Sequence, residues 1–308
     1  MSRAAPDRVS VRVPATSANL GPAFDCAGLA LTLHDDVEFA VTEAGLAVEV
    51  SGAGAGELPT DASHLVVRAF RAACDVLGWS PPGLRVRARN GIPQGRGMGS
   101  SAAAVVAGVV GAFELCPGVD VRDDDAVLRL ATELEGHPDN VAPCLLGGAT
   151  LSWMGESGAR AVRLPVAAGV HPVVLVPAAT LSTHVARGLL PDAVPHADAA
   201  HAAGRAALLV HALTCDPGLL VEATEDRLHQ RQRAAAMPGS AALLDRLRAA
   251  GHAATVSGAG PSLLVLTAGT AGTGDVTSLT PDEWDVYPLE VDGDGARVLR
   301  EAPGVSSA

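Results

Sequence analysis

Lysine is missing from all 308 residues of the chain, and the 22 basic residues are all arginine. That absence removes several enzyme classes. A Walker A loop, the ATP-binding lysine of protein kinases and the Schiff base of pyridoxal phosphate enzymes each need a residue this chain lacks. Basic charge is also scarce beside 34 acidic residues, which leaves a net charge of −12. Such a field repels phosphate backbones and anionic lipid, so neither nucleic acid nor a membrane surface is an expected partner. An anionic substrate would need a local pocket of backbone amides, helix dipole and metal. The five cysteines, Cys26, Cys74, Cys116, Cys144 and Cys215, form no C-x-x-C pair. They read as free thiols rather than zinc or redox ligands. No apolar run reaches the roughly 20 residues of a membrane span. The longest, residues 102–115, ends at Cys116-Pro117-Gly118 and reads as a buried helix.

Residues 1–7 lack a basic segment followed by an apolar stretch, so a secretory signal is not expected and a cytoplasmic location is. The length favours two domains, and a hydrophobic content of 48% supplies a substantial core.

Alternation marks residues 9–13 as a strand, followed by a loop with small hydroxyls from Pro14 to Pro22. Residues 37–41 and 47–50 read as strands joined like a hairpin through Gly45. Residues 64–77 have helical spacing, and 84–88 form the next strand. Residues 123–135 form a helix with Val127, Leu130, Ala131 and Leu134 inward. Its acidic start, Asp123-Asp124-Asp125, suits a helix dipole better than a metal. Strands around a glycine turn at 155–158 follow, with a domain junction nearby. Helices at 199–213 and 240–249, then strand, tight loop and strand over 253–266, complete the reading.

The most specific segment is Pro93-Gln94-Gly95-Arg96-Gly97-Met98-Gly99-Ser100-Ser101-Ala102-Ala103, between a strand and an apolar helix. Glycines let backbone approach a ligand closely, and a helix start offers free N–H groups and a positive dipole end, so the chemistry is phosphate binding. Ser100 and Ser101 add hydroxyls, one able to cap the backbone and the other to face a nucleotide-bound Mg²⁺. Glycines at 95, 97 and 99 do not fit the dinucleotide-binding spacing.

This segment resembles the P-x-x-x-G-L-G-S-S-A-A signature of the GHMP kinases, with Met98 in place of the usual leucine. Further stretches are similar to the homoserine kinase branch of that family. They are residues 13–25, with Ala23 where glycine is usual, Glu135-Gly136-His137-Pro138-Asp139-Asn140, residues 182–187, residues 226–233 and the glycine loop 257–262. The resemblance implies an α/β (α+β) GHMP kinase fold. An N-terminal nucleotide-binding domain like ribosomal protein S5 domain 2 would span residues 1–164, and a ferredoxin-like C-terminal domain residues 165–308.

It further implies ATP- and Mg²⁺-dependent phosphorylation of L-homoserine in threonine biosynthesis, by a cytoplasmic homodimer. Residues 93–103 would bind ATP. Asn19, Asp25, His137, Asn140, Thr183, Arg187, Arg233 and Gly258 would contact the substrate, with Asp25 toward the ammonium and the two arginines toward the carboxylate. Ser101 and Glu133 would hold the metal, with Glu135 as the rival, since residues two apart on a helix point in different directions. Asp25 and Glu133 are candidate bases, and neither is assigned as one.

Overall fold

The protein is described from a computed structural model covering residues 6–269 and 272–299. The strands are β1 (Arg8–Ala18), β2 (Ala27–Thr42), β3 (Gly45–Gly52), β4 (Gly83–Asn90), β5 (Ala149–Gly155), β6 (Gly158–Leu164), β7 (Val170–Val176), β8 (Ala253–Val256), β9 (Leu263–Ala268), β10 (Asp285–Pro288) and β11 (Arg297–Leu299). The helices are α1 (Leu65–Leu77), α2 (Ser100–Leu115), α3 (Asp124–Glu135), α4 (Pro138–Leu146), α5 (Thr183–Gly188), α6 (His196–Thr214), α7 (Leu220–Ala223), α8 (Gln230–Arg233), α9 (Pro238–Ala249) and α10 (Gly272–Leu279). Among the described residues, no helix is long and apolar enough to cross a membrane.

The first sheet has the order β11-β1-β2-β4-β3, and β5 with β6 extends it from the start of β2. Val9, Val11 and Val13 alternate inward, as residues on one face of a pleated strand must. Beyond Pro14 every residue of β1 is buried, because the strand runs into the site between the two halves of the molecule. Here the sequence reading is corrected. The residues assigned to a loop after Pro14 continue as strand to Ala18, across a register shift at Pro14/Ala15, and the turn starts at Asn19. The hairpin expected through Gly45 is also absent. β2 and β3 do not pair; β4 lies between them, antiparallel to β2 and parallel to β3, with α1 as the crossover.

α2 is apolar on nearly every side and buried along most of its length, packed against α1, α3 and β1. The acid at the start of α3 serves as a cap: Asp123 accepts from the N–H groups of Asp125 and Ala126. Leu134, expected inward, is 39% exposed, and Thr132 is buried instead.

The second sheet, β10-β7-β9-β8, is antiparallel throughout. With α6 to α9 between β7 and β8, and α10 between β9 and β10, it follows the β-α-β-β-α-β order of ferredoxin-like domains. The chain leaves the first sheet after Leu164, but it returns. Val291 bridges to Leu31 and β11 pairs with β1, with His34 and Asp292 in contact at 2.6 Å. Residues 297–299 thus pair within the first sheet.

Candidate active site

The glycine loop, the 19–25 turn, the start of α4, α5, α8 and the 257–262 loop converge on one cavity of about 100 Å³. A second hollow of about 280 Å³ adjoins it and shares Gly95, Ser100 and Ser101. A larger one, about 530 Å³, lies between α8 and α9 and holds no residue of the glycine loop. Chemistry rather than size identifies the site.

Gly99 has a positive φ of 68°, and a Cβ there would overlap the Thr16 hydroxyl and lie 3.1 Å from Asn140 Oδ1. At Gly97, also left-handed, a Cβ would collide with the carbonyl of Ser257. Glycine is required at both for close approach. No side chain caps α2, contrary to the role expected for Ser100 or Ser101, and its first backbone bond runs from Ala103 N to Gly99 O. The preceding N–H groups and the positive dipole end are therefore free for an anion. A polyphosphate fits this cradle.

The loop residues divide by position. Gly95, Gly97, Met98, Gly99, Ser100 and Ser101 line the first cavity, while Gln94 and Ala103 line the second. Pro93, Arg96 and Ala102 line neither. Arg96, despite its charge, donates to the carbonyls of Pro177, Gln94 and Ala178, and so braces the loop against the segment after β7. In the second hollow His64 is 4% exposed, and neither ring nitrogen has a partner among the described residues. Burial lowers its pKa, which leaves a neutral imidazole beside an opening beyond the phosphate cradle.

Ser101 Oγ donates to Glu135 Oε2 at 2.7 Å. Glu135 lines the cavity, whereas Glu133 is exposed and lies outside it. Of the two glutamates on α3, helix phase turns Glu135 toward the cavity and leaves Glu133, named in the sequence reading as metal ligand and candidate base, outside it. Burial raises the Glu135 pKa, opposed by the Ser101 hydrogen bond. A hydroxyl and a carboxylate are hard oxygen donors suited to Mg²⁺ that keeps water and phosphate oxygens as its other ligands. Among the described residues no group of three acidic, histidine or cysteine side chains forms a metal cluster.

Across the cavity, Arg187 donates to both oxygens of Asp25, at 2.9 and 2.7 Å. Asp25 sits at the rim rather than in the lining. Asn19 and Asp25 both hold left-handed backbone, with φ of 70° and 57°, a conformation Asn and Asp tolerate better than most. The Asn19 amide is held at both ends: its Oδ1 accepts from Asp25 N and its Nδ2 donates one N–H to Gly258 O. It joins the first turn to the last loop. Ala23 is not among the positive-φ residues, so its β-carbon meets no backbone conflict. Thr183, His137 and Asn140 line the cavity, as do Arg187, Arg233 and Gly258.

Sequence reasoning missed Asp139. It is 2% exposed, and its Oδ1 lies 2.7 Å from His137 Nδ1, a contact that raises the histidine pKa. It also missed Phe24, whose ring lies under the guanidinium groups of both Arg187 and Arg233, at 5.7 and 5.3 Å. Both belong to stretches already singled out, but burial and ring stacking leave no mark in a linear pattern.

This geometry can be set beside known proteins. The family model for the GHMP kinases N terminal domain matches residues 64–148, and that for the GHMP kinases C terminal matches residues 210–273. A homoserine kinase of Streptomyces avermitilis is 55% identical over 292 residues, covering 94% of this chain and 95% of its own. The chain belongs to the homoserine kinase branch of the GHMP kinases. A homoserine kinase of Clavibacter michiganensis is 56% identical over 260 residues, covering 84% of this chain and 82% of its own. The crystal structure of a homoserine kinase from Cytophaga hutchinsonii superposes with a TM-score of 0.86 at 28% identity, covering 97% of this chain and 99% of that one. As in these kinases, the activity is phosphotransfer.

Proposed function

We propose that the protein transfers the γ-phosphoryl group of ATP to the side-chain hydroxyl of L-homoserine, giving O-phospho-L-homoserine for threonine biosynthesis. The observation that carries this reading is the pairing of opposite charges beside a phosphate cradle. Arg187 and Arg233 line the same cavity as the start of α2, and Asp25 pairs with Arg187 at its rim. A substrate with an ammonium and a carboxylate on one carbon complements that arrangement, as a neutral sugar does not. Guanidinium groups offer paired donors for a carboxylate, and Asp25 offers an anion for the ammonium.

The triphosphate lies along the 95–101 loop with its charge on the α2 amides, and the nucleoside extends toward the hollow that holds His64. Ser101 and Glu135 would hold Mg²⁺, which would supply positive charge to offset the charge on the transferred group. The chain's own residues position the reactants. Asn140 accepts from the Thr16 hydroxyl at 2.8 Å, which fixes its amide at the cavity wall. With Nδ1 held by Asp139, His137 keeps Nε2 for the substrate. The loose transition state of phosphoryl transfer places little demand on a strong base, so in-line placement and electrostatic stabilisation carry the rate. Asp25, the remaining candidate base, has both oxygens engaged by Arg187 and acts as a binding group.

The reading includes a cytoplasmic homodimer without nucleic-acid or membrane partners. The net charge of −12 supports the last point, and light scattering on the purified protein measures the dimer. A coupled ADP-release assay with Mg-ATP against L-homoserine, L-serine, mevalonate and galactose tests the function. Turnover selective for L-homoserine is the expected result; preference for another alcohol overturns the substrate assignment, and silence on all four overturns the activity.

A further inference from the structure

Arg233 is 1% exposed, and among the described residues no carboxylate pairs with it. Its Nε donates to Ala186 O at 3.2 Å, and its Nη1 faces Gly258 O at 3.4 Å and His229 Nδ1 at 3.0 Å. An arginine has only donors, so His229 Nδ1 must be the bare nitrogen and Nε2 must carry the proton. Nε2 in turn lies 2.9 Å from the carbonyl of Gly21, which can only accept. The two partners fix the same tautomer from opposite sides.

Burial and the charge of Arg233 favour the same neutral ring. His229 is fully buried, and desolvation followed by the charge of Arg233 lowers its pKa, against the opposing influence of Asp226, the Gly21 hydrogen bond and Asp25. Asp226 is 3.9 Å away, but its oxygens are engaged by the N–H groups of Leu228, His229 and Gln230. The Phe24 ring packs against His229 at 5.2 Å with a 33° tilt and lies under Arg233. Gly21 and Phe24 belong to the turn that carries Asn19 and Asp25. His229 therefore ties the guanidinium to the loop holding the opposite charge of the site.

We propose that His229 is a positioning residue for carboxylate recognition: bridging Gly21 O and Arg233 Nη1, it sets the guanidinium at a fixed distance from Asp25 and so selects a zwitterionic alcohol. The proposal rests on the reading of Arg233 as the carboxylate holder. A hydrogen bond to a charged group acts in the ground state and the transition state alike, so its loss appears in KM rather than kcat.

The test compares His229→Leu, His229→Gln, His229→Asn and Arg233→Ala in steady-state kinetics with L-homoserine and with 3-aminopropan-1-ol, which is homoserine without its carboxylate. Arg233→Ala and His229→Leu should each raise the KM for L-homoserine about tenfold or more, the size expected for losing a charged hydrogen bond. The KM for ATP and kcat should move much less, and the preference for L-homoserine over the amino alcohol should shrink. A merely structural role would lower the active fraction and leave that preference intact. Asn places an acceptor where Nδ1 was and should recover most of the L-homoserine KM; Gln places its amide near Nε2 and should not. If the leucine variant fails to fold, the Asn and Gln pair decides. Parent-like KM in both leucine and glutamine variants, with Arg233→Ala impaired, overturns the role of His229 and leaves the carboxylate reading standing. Unchanged KM in Arg233→Ala overturns the carboxylate reading and the proposal with it.

Discussion

Two glutamates two residues apart on α3 provide an internally controlled test of the proposed metal site. Glu135 accepts from Ser101 at 2.7 Å and lines the cavity, while Glu133 is exposed outside it. Glu135→Gln keeps an amide oxygen for the Ser101 hydroxyl and removes only the charge. A charged interaction of this kind contributes about 1.5–3 kcal/mol net, so kcat/KM at limiting Mg²⁺ should fall by a factor of about 10 to 150. Raising Mg²⁺ should restore part of the loss. Glu133→Gln should stay within about twofold, as surface changes away from a site usually do. Stability should move the other way. Burial disfavours the Glu135 carboxylate, so its pKa is raised and the ionised form costs the fold stability above the unfolded pKa. The glutamine variant should therefore melt no lower than the parent in metal-free buffer at neutral pH. The assay is ADP release across a Mg²⁺ titration, with thermal denaturation alongside. Equal losses in the two variants, or a Glu135→Gln enzyme retaining more than half its activity at low Mg²⁺, would refute the assignment.

Gly99→Ala should abolish most activity and destabilise by more than the ~1–2 kcal/mol of left-handed backbone, because its Cβ meets Thr16 and Asn140. Gly45→Ala, at φ 81° with nothing within 4 Å of the added carbon, should incur only the backbone penalty, and urea denaturation of the pair measures the difference. Asp35 is 6% exposed and burial raises its pKa to about 6 from 3.8, although Gly91 N and Ile92 N donate to it. An acid raised in this way weakens the fold as pH climbs from about 4 to 6, by on the order of 3 kcal/mol at most. Asp35→Asn should accordingly be the more stable protein at pH 7.5, with its advantage shrinking toward pH 4; a constant difference would count against the burial account. Of the five free cysteines, exposed Cys215 should react first with a maleimide, and Cys74, buried and pushed up to about 12, only on unfolding, as peptide mapping would show.

The linear order of residues by itself determined the chemistry of the cradle. Glycines at 95, 97 and 99 before an apolar helix specify an anion site, because backbone conformation and helix termini are local properties. The same holds for the apolar helix α2, the acidic start of α3, and the strand-loop-strand read over 253–266, where short-range patterning dominates. Strand partners were not legible. β4 enters between β2 and β3 through α1, a choice made by long-range pairing and not by the Gly45 turn. The return of residues 297–299 to the first sheet likewise depends on an edge formed almost 300 residues earlier.

In the site, sequence could name arginines and acids but not their partners. Helix phase against α2 selected Glu135 over Glu133, and three backbone carbonyls claimed Arg96, which composition alone would send to a phosphate. Asp25 meets Arg187 across 162 positions, and Arg233 donates to a histidine whose tautomer is set by Gly21, 208 positions away. Local propensity reaches only a few residues along the chain, whereas burial, charge pairing and tautomer depend on what packing brings together in space. That is why the glycine loop is written in one segment and the charged cavity beside it exists only in the folded protein.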